Sequence, residues 1–172
     1  MEMKALKEAF AMTEEPLGYY FAGRLSRGRE AFDFFKKSAQ AGCSWGQVGY
    51  GEYFKYGYDF VEREEKVYVE WLEKAASQNN PKAMYWLGRW FQFGGGNDRE
   101  KAGSYYRAAG ELGWQNSMDW LAEMLRKGEE CEKDLRQAAI WGAKGVLGVF
   151  WRLLENARLA LERGTTHDLD CD

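Results

Sequence analysis

The feature that most constrains this chain is an internal repeat. Residues 83–94 (AMYWLGRWFQFG) recur at 117–128 (SMDWLAEMLRKG) and, more loosely, at 46–57 (GQVGYGEYFKYG). Gly51, Gly88 and Ala122 are then equivalent, 37 and 34 residues apart. A second anchor lies at 35–42 (FKKSAQAG), 72–79 (LEKAASQN) and 106–113 (YRAAGELG), whose last residues Gly42, Asn79 and Gly113 show the same offsets of 37 and 34. Two anchors moving in step mean that one supersecondary unit is reused. Such units bury their apolar faces only by stacking on their neighbours.

Each anchor reads as helix. Small residues at 46, 83 and 117 and at 51, 88 and 122 let a neighbouring helix approach, while bulky residues three or four positions on fill an apolar stripe. Gly42, Asn79 and Gly113 fit left-handed caps at the end of a second helix, with Asn79 standing in for glycine because its short polar side chain tolerates positive φ. Asp98 and Asp134 are placed as N-caps of the second helix in their units. The predicted unit is an αα-hairpin.

On these residues the chain resembles the Sel1-like repeat family, relatives of tetratricopeptide repeats. Leu87-Gly88, Asp98, Lys101-Ala102, Tyr105-Tyr106, Ala108-Ala109 and Gly113 carry the match, which covers about residues 16 to 146. Uneven unit lengths fit this family better than a uniform period does. The first unit, Leu17 to Gly42, has only Arg27-Gly28-Arg29 between its helices, whereas the second has a long connection around Tyr58 to Glu65. The resemblance implies an all-α, right-handed solenoid of about four hairpins whose concave surface is lined mostly by first helices. Met1 to Thr13 is expected to cap one end and a terminal helix at 147–163 the other, with a break near Gly145. Residues 1–164 then form one domain and 165–172 a loose acidic tail.

Composition narrows the function. A formal net charge of −3 gives no electrostatic footprint for nucleic acid or an anionic membrane. Cys43, Cys131 and Cys171 form no CxxC, which argues against a zinc site and a disulfide framework and for a reducing compartment. With no continuous apolar segment at the N-terminus, a cytoplasmic protein is expected.

Catalysis is tested by inventory. His167 is the single histidine and falls in the polar tail, a poor place for a base that a third group must hold in position. Asp168, Asp170 and Asp172 lack the glycine turn and closing glutamate of a calcium loop. Glu62, Glu64 and Glu65, and Glu129, Glu130 and Glu132, read as solvated runs on turns, although a carboxylate pair across space is invisible to sequence. Gly94-Gly95-Gly96 lacks the Lys and Ser/Thr of a phosphate loop and reads as a turn. The densest basic stretch, Arg24, Arg27, Arg29, Lys36 and Lys37, is interrupted by Glu30 and Asp33. No cofactor or metal is expected, and the chain reads as non-enzymatic.

The aromatic residues are more informative. Phe21, Trp86, Trp120 and Trp151 occupy equivalent first-helix positions, where members of the family it resembles carry small or polar residues. One turn later in the repeat, at the position following the recurring small residue, stand Arg24, Glu52, Arg89 and Glu123. These rings either form a ladder facing the groove or are buried between units, as Trp71, Tyr105 and Trp141 on second helices are expected to be. Trp and Arg dominate binding hot spots. The resulting expectation is a protein-binding module whose partner is another protein, with homo-oligomerisation not implied. The family resemblance and small size favour an inhibitor or immunity-type protein that blocks a toxin by steric occlusion, and the acidic balance suits a basic effector. The alternatives are an adaptor for complex assembly and an aromatic-groove binder of peptides or glycans.

Overall fold

The computed structural model describes residues 2–128 and 136–148. Eight complete helices lie among them: α1 (Glu2–Met12), α2 (Pro16–Leu25), α3 (Gly28–Gln40), α4 (Ser44–Tyr56), α5 (Glu65–Ala76), α6 (Pro81–Phe93), α7 (Arg99–Glu111) and α8 (Gln115–Lys127). Residues 136–148 are helical as well. Among the described residues the extended structure is a single isolated bridge, Tyr58 to Val61, inside the long α4–α5 connection. The principal contacts run between helices adjacent in sequence, with α2 also meeting α4. This is the order of a stack of hairpins, with α1 ahead of the first.

Local chemistry sets the helix ends. Both prolines of the chain, Pro16 and Pro81, open helices, where the missing N–H costs nothing. Asn80 accepts the Ala83 N–H at 3.1 Å and Asp98 accepts the Lys101 N–H at 3.0 Å. Asn80 also donates to Ser44 Oγ at 3.2 Å, tying the start of α6 to the start of α4. The predicted left-handed caps are observed, with φ of +89° at Gly42, +58° at Asn79 and +83° at Gly113. Asp134 lies outside the described residues.

Two cores flank α6. On one side Val48, Tyr68, Leu72, Ala75, Ala83 and Leu87 join α4, α5 and α6. On the other, Tyr85, Ala102, Tyr106, Met118, Leu121 and Trp141 join α6, α7, α8 and residues 136–148. Gly88 shows why small residues recur at this position, since a Cβ there would fall 2.7 Å from the Tyr106 ring. Trp141 is buried as expected, whereas Trp71 and Tyr105 are only half-buried.

One expectation needs correction. The helix does not break at Gly145 but continues to residue 148. Gly145 is buried, and a Cβ there would run into Gln115 and Asp119 of α8. The glycine permits close helix packing rather than ending the helix. Trp151, residues 149–163 of the terminal helix expected over 147–163, the Glu129, Glu130 and Glu132 run, His167 and the tail all lie outside the described residues.

Candidate functional site

Trp86, Arg89 and Phe93 project from α6 at helical spacing, and α8 brings Trp120 beside them. The Arg89 guanidinium carbon lies 5.7 Å from the Trp86 ring centroid, 5.6 Å from that of Phe93 and 5.8 Å from that of Trp120. Phe93 meets Trp120 edge-on with centroids 5.4 Å apart. Trp120 also stacks on Tyr106 at 6.2 Å and 12°, which anchors it to the core below. Trp86 and Trp120 are half-buried and Phe93 is exposed. Both readings of the aromatic positions are thus partly realised, because each indole packs one side on the cores and leaves the other open.

The remaining sequence candidates spread out. Glu52 pairs with Lys82 at 2.8 Å. Glu123 binds Arg126 and Lys127 of its own helix, and the hydrogen bonds from Arg126, ahead of Lys127, lower its pKa to about 2. Phe21 is 40% exposed and meets Phe10 of α1 at 5.1 Å, while Arg24 donates to the Tyr20 hydroxyl at 3.0 Å. Phe21 is separated from Trp86 because the intervening repeat carries Gly49 at this position. A side chain there would strike Phe35, with a Cβ only 2.6 Å from its ring.

Beside the α6 cluster is a cavity of about 390 Å³, bordered by Lys55 of α4, Arg63 of the α4–α5 connection, Glu65 and Tyr68 of α5, and Trp86 and Arg89 of α6. Lys55 Nζ sits 3.7 Å from the Trp86 ring centroid, a cation–π contact. Burial first, and then the Arg89 charge, hold the Lys55 pKa below the usual lysine value. Tyr68 is 3% exposed, its hydroxyl has no hydrogen-bond partner among the described residues, and burial pushes its pKa up. Trp90 donates its indole N–H to Glu65 at 2.7 Å. The run Gly94-Gly95-Gly96 packs around this indole, and a Cβ on Gly96 would fall 2.6 Å from it. Sterics against Trp90 therefore account for Gly94 and Gly96, whereas a Cβ on Gly95 would make only ordinary contact at 3.5 Å.

Sequence reasoning missed Lys55, Tyr68 and Trp90. A signal for Tyr68 existed. The offsets of 37 and 34 align positions 31, 68 and 102, and the 36-residue step from Asp98 to Asp134 adds 138; these read Ala, Tyr, Ala, Ala, and the three alanines are buried. A phenol where the other units place a methyl group marks the second repeat as different. Among the described residues no group of His, Cys, Asp and Glu is arranged to hold a metal, and no helix is long and apolar enough to cross a membrane.

Comparison with known proteins matches this architecture. The Sel1 repeat family model matches residues 17–43, 46–80, 81–114 and 116–145. No curated protein matches the sequence. A solved Sel1 repeat protein from Oxalobacter formigenes superimposes with a TM-score of 0.73 at 24% identity, over 79% of this chain and 59% of that one. The protective antigen c5321 of uropathogenic Escherichia coli, which displays an SLR fold, gives 0.70 at 25% identity over 81% of this chain and 32% of that one. The immunity protein Pa5087 of Pseudomonas aeruginosa gives 0.63 at 21% identity over 77% and 54%. The chain thus spans between 32% and 59% of the length of these relatives.

Proposed function

Because this chain belongs to the Sel1 repeat family, a protein-interaction fold, we propose that it binds a partner protein through the face shared by α4, α6 and α8 and acts by occlusion, as an inhibitor of the immunity type. The observation that carries this reading is Arg89 set among Trp86, Phe93 and Trp120. Half-buried indoles around a guanidinium combine the two side chains most enriched in hot spots, and the core beneath holds them in place before a partner arrives. The fold likeness to Pa5087 supports the choice of class, since an immunity protein is built on the same hairpins. An interface of ordinary size, about 1,600 Å² in total, fits on such a face.

The test is affinity. The expected partner is the product of a toxin gene encoded beside this one, bound tightly and one to one. Arg89→Ala and Trp120→Ala should each weaken the complex by about thirtyfold, the effect of losing a hot spot near 2 kcal/mol. Trp86→Ala is less clean because Trp86 also packs against both cores. Undiminished affinity in both variants would move the interface elsewhere, and several weak partners in place of one tight partner would favour an adaptor.

A further inference from the structure

The cavity between α4, α5 and α6 carries charge of the opposite sign to the chain as a whole. The chain has a net charge of −3, yet Lys55, Arg63 and Arg89 border this cavity and none of them forms an ion pair among the described residues. Its one bordering carboxylate, Glu65, is engaged by the Trp90 indole. Tyr68, buried beneath these cations, has a hydroxyl with no acceptor. Unspent donors gathered in one half-enclosed place are complementary to an anion, because a charged acceptor forms the strongest hydrogen bonds available to them. Across Trp90 lies a second cavity of about 550 Å³, where Trp90 and Val69 supply the apolar wall and Glu64, Glu65, Lys66 and Glu70 the charged rim.

Resting on the reading that this face binds a protein, we propose that the two adjoining cavities receive an acidic residue followed by an apolar residue from the partner chain. The carboxylate sits among Lys55, Arg89 and the Tyr68 hydroxyl. The apolar side chain lies against Trp90 and Val69. The Glu65–Trp90 hydrogen bond forms the wall between the two cavities and keeps the indole upright. The local charge of this pocket, rather than the net charge of the molecule, selects the segment that enters.

The proposal is tested with acetyl-Asp-Phe-amide and acetyl-Asn-Phe-amide, titrated into isotopically labelled protein while the indole N–H resonances of Trp86 and Trp90 are followed. The Asp peptide should give saturable shifts and bind at least about tenfold more tightly than the Asn peptide, the scale of a hydrogen-bonded charge. Tyr68→Phe and Lys55→Gln should each weaken the Asp peptide by about tenfold and leave the Asn peptide unchanged. Equal binding of the two peptides, no shift with either, or a Tyr68→Phe variant that binds the Asp peptide as before would overturn the assignment. So would inorganic phosphate displacing the peptide at equal concentration, which would make this a site for simple anions. If the peptides fail while Arg89→Ala and Trp120→Ala still weaken the partner complex, the pocket assignment falls and the binding face stands. Peptide binding beside an unaffected partner complex would have the opposite meaning.

Discussion

Two buried tyrosines, one on α5 and one on α7, meet opposite fates. Tyr106 is fully buried and its hydroxyl donates to Gln92 at 2.9 Å. Tyr68 is almost as deeply buried and its hydroxyl has no partner among the described residues. The two do not occupy the same repeat position. Leu72 is the α5 counterpart of Tyr106, and Ala102 is the α7 counterpart of Tyr68. In α7 the ring completes the core, whereas in α5 it is added to a core that Leu72 already fills. One tyrosine therefore serves the fold, and the other spends stability beside a cavity where a ligand could recover it.

The sharpest way to break this contrast is through packing. Leu72→Ala should destabilise the protein by about 2–5 kcal/mol, since it removes a fully buried side chain whose space the surrounding helices cannot close. Denaturant unfolding measures this, and a cost under about 1 kcal/mol would mean that α5 is loosely packed. The tyrosines separate next. Tyr68→Phe should leave stability unchanged or raise it by about 1 kcal/mol, because it deletes an unsatisfied buried hydroxyl. Tyr106→Phe should lower it by a similar amount, about 1 kcal/mol, by taking a donor from Gln92. Equal losses in both variants would erase the distinction.

Smaller effects test the ends of the units. Asp98→Ala removes the cap on α7 and should cost about 1 kcal/mol. The smallest expected effect is the pH dependence of Glu123. Its folded-state pKa is lowered from 4.5 to about 2, mainly by Arg126, so its contribution to stability is present above pH 4.5 and disappears as pH falls toward 2. Acid unfolding of Glu123→Gln should differ from that of the parent above this window and converge with it below. Parallel curves throughout would show that the pairing contributes nothing.

Much of the fold was legible because repeats constrain one another. Offsets of 37 and 34 located every hairpin from α3 to α8, and Gly42, Asn79 and Gly113 marked their ends correctly. Gly145 misled because a glycine can end a helix or let one lie close to another, and only the neighbouring Gln115 tells which. Of the site, Trp86, Arg89 and Trp120 came together as their shared register implied, while Gly49 interrupts the row before Phe21. Lys55 and Trp90 matter through contacts between helices, which periodicity within one helix does not reveal. Tyr68 could have been found by reading down the repeat rather than along it.

The most direct test of the binding face is hydrogen exchange on the purified partner complex. Slowed exchange confined to α4, α6 and α8 and to the start of α5, with α3 and α7 unchanged, is the result expected here. Protection concentrated on α3 and α7, with α6 and α8 exchanging as in the free protein, would contradict it.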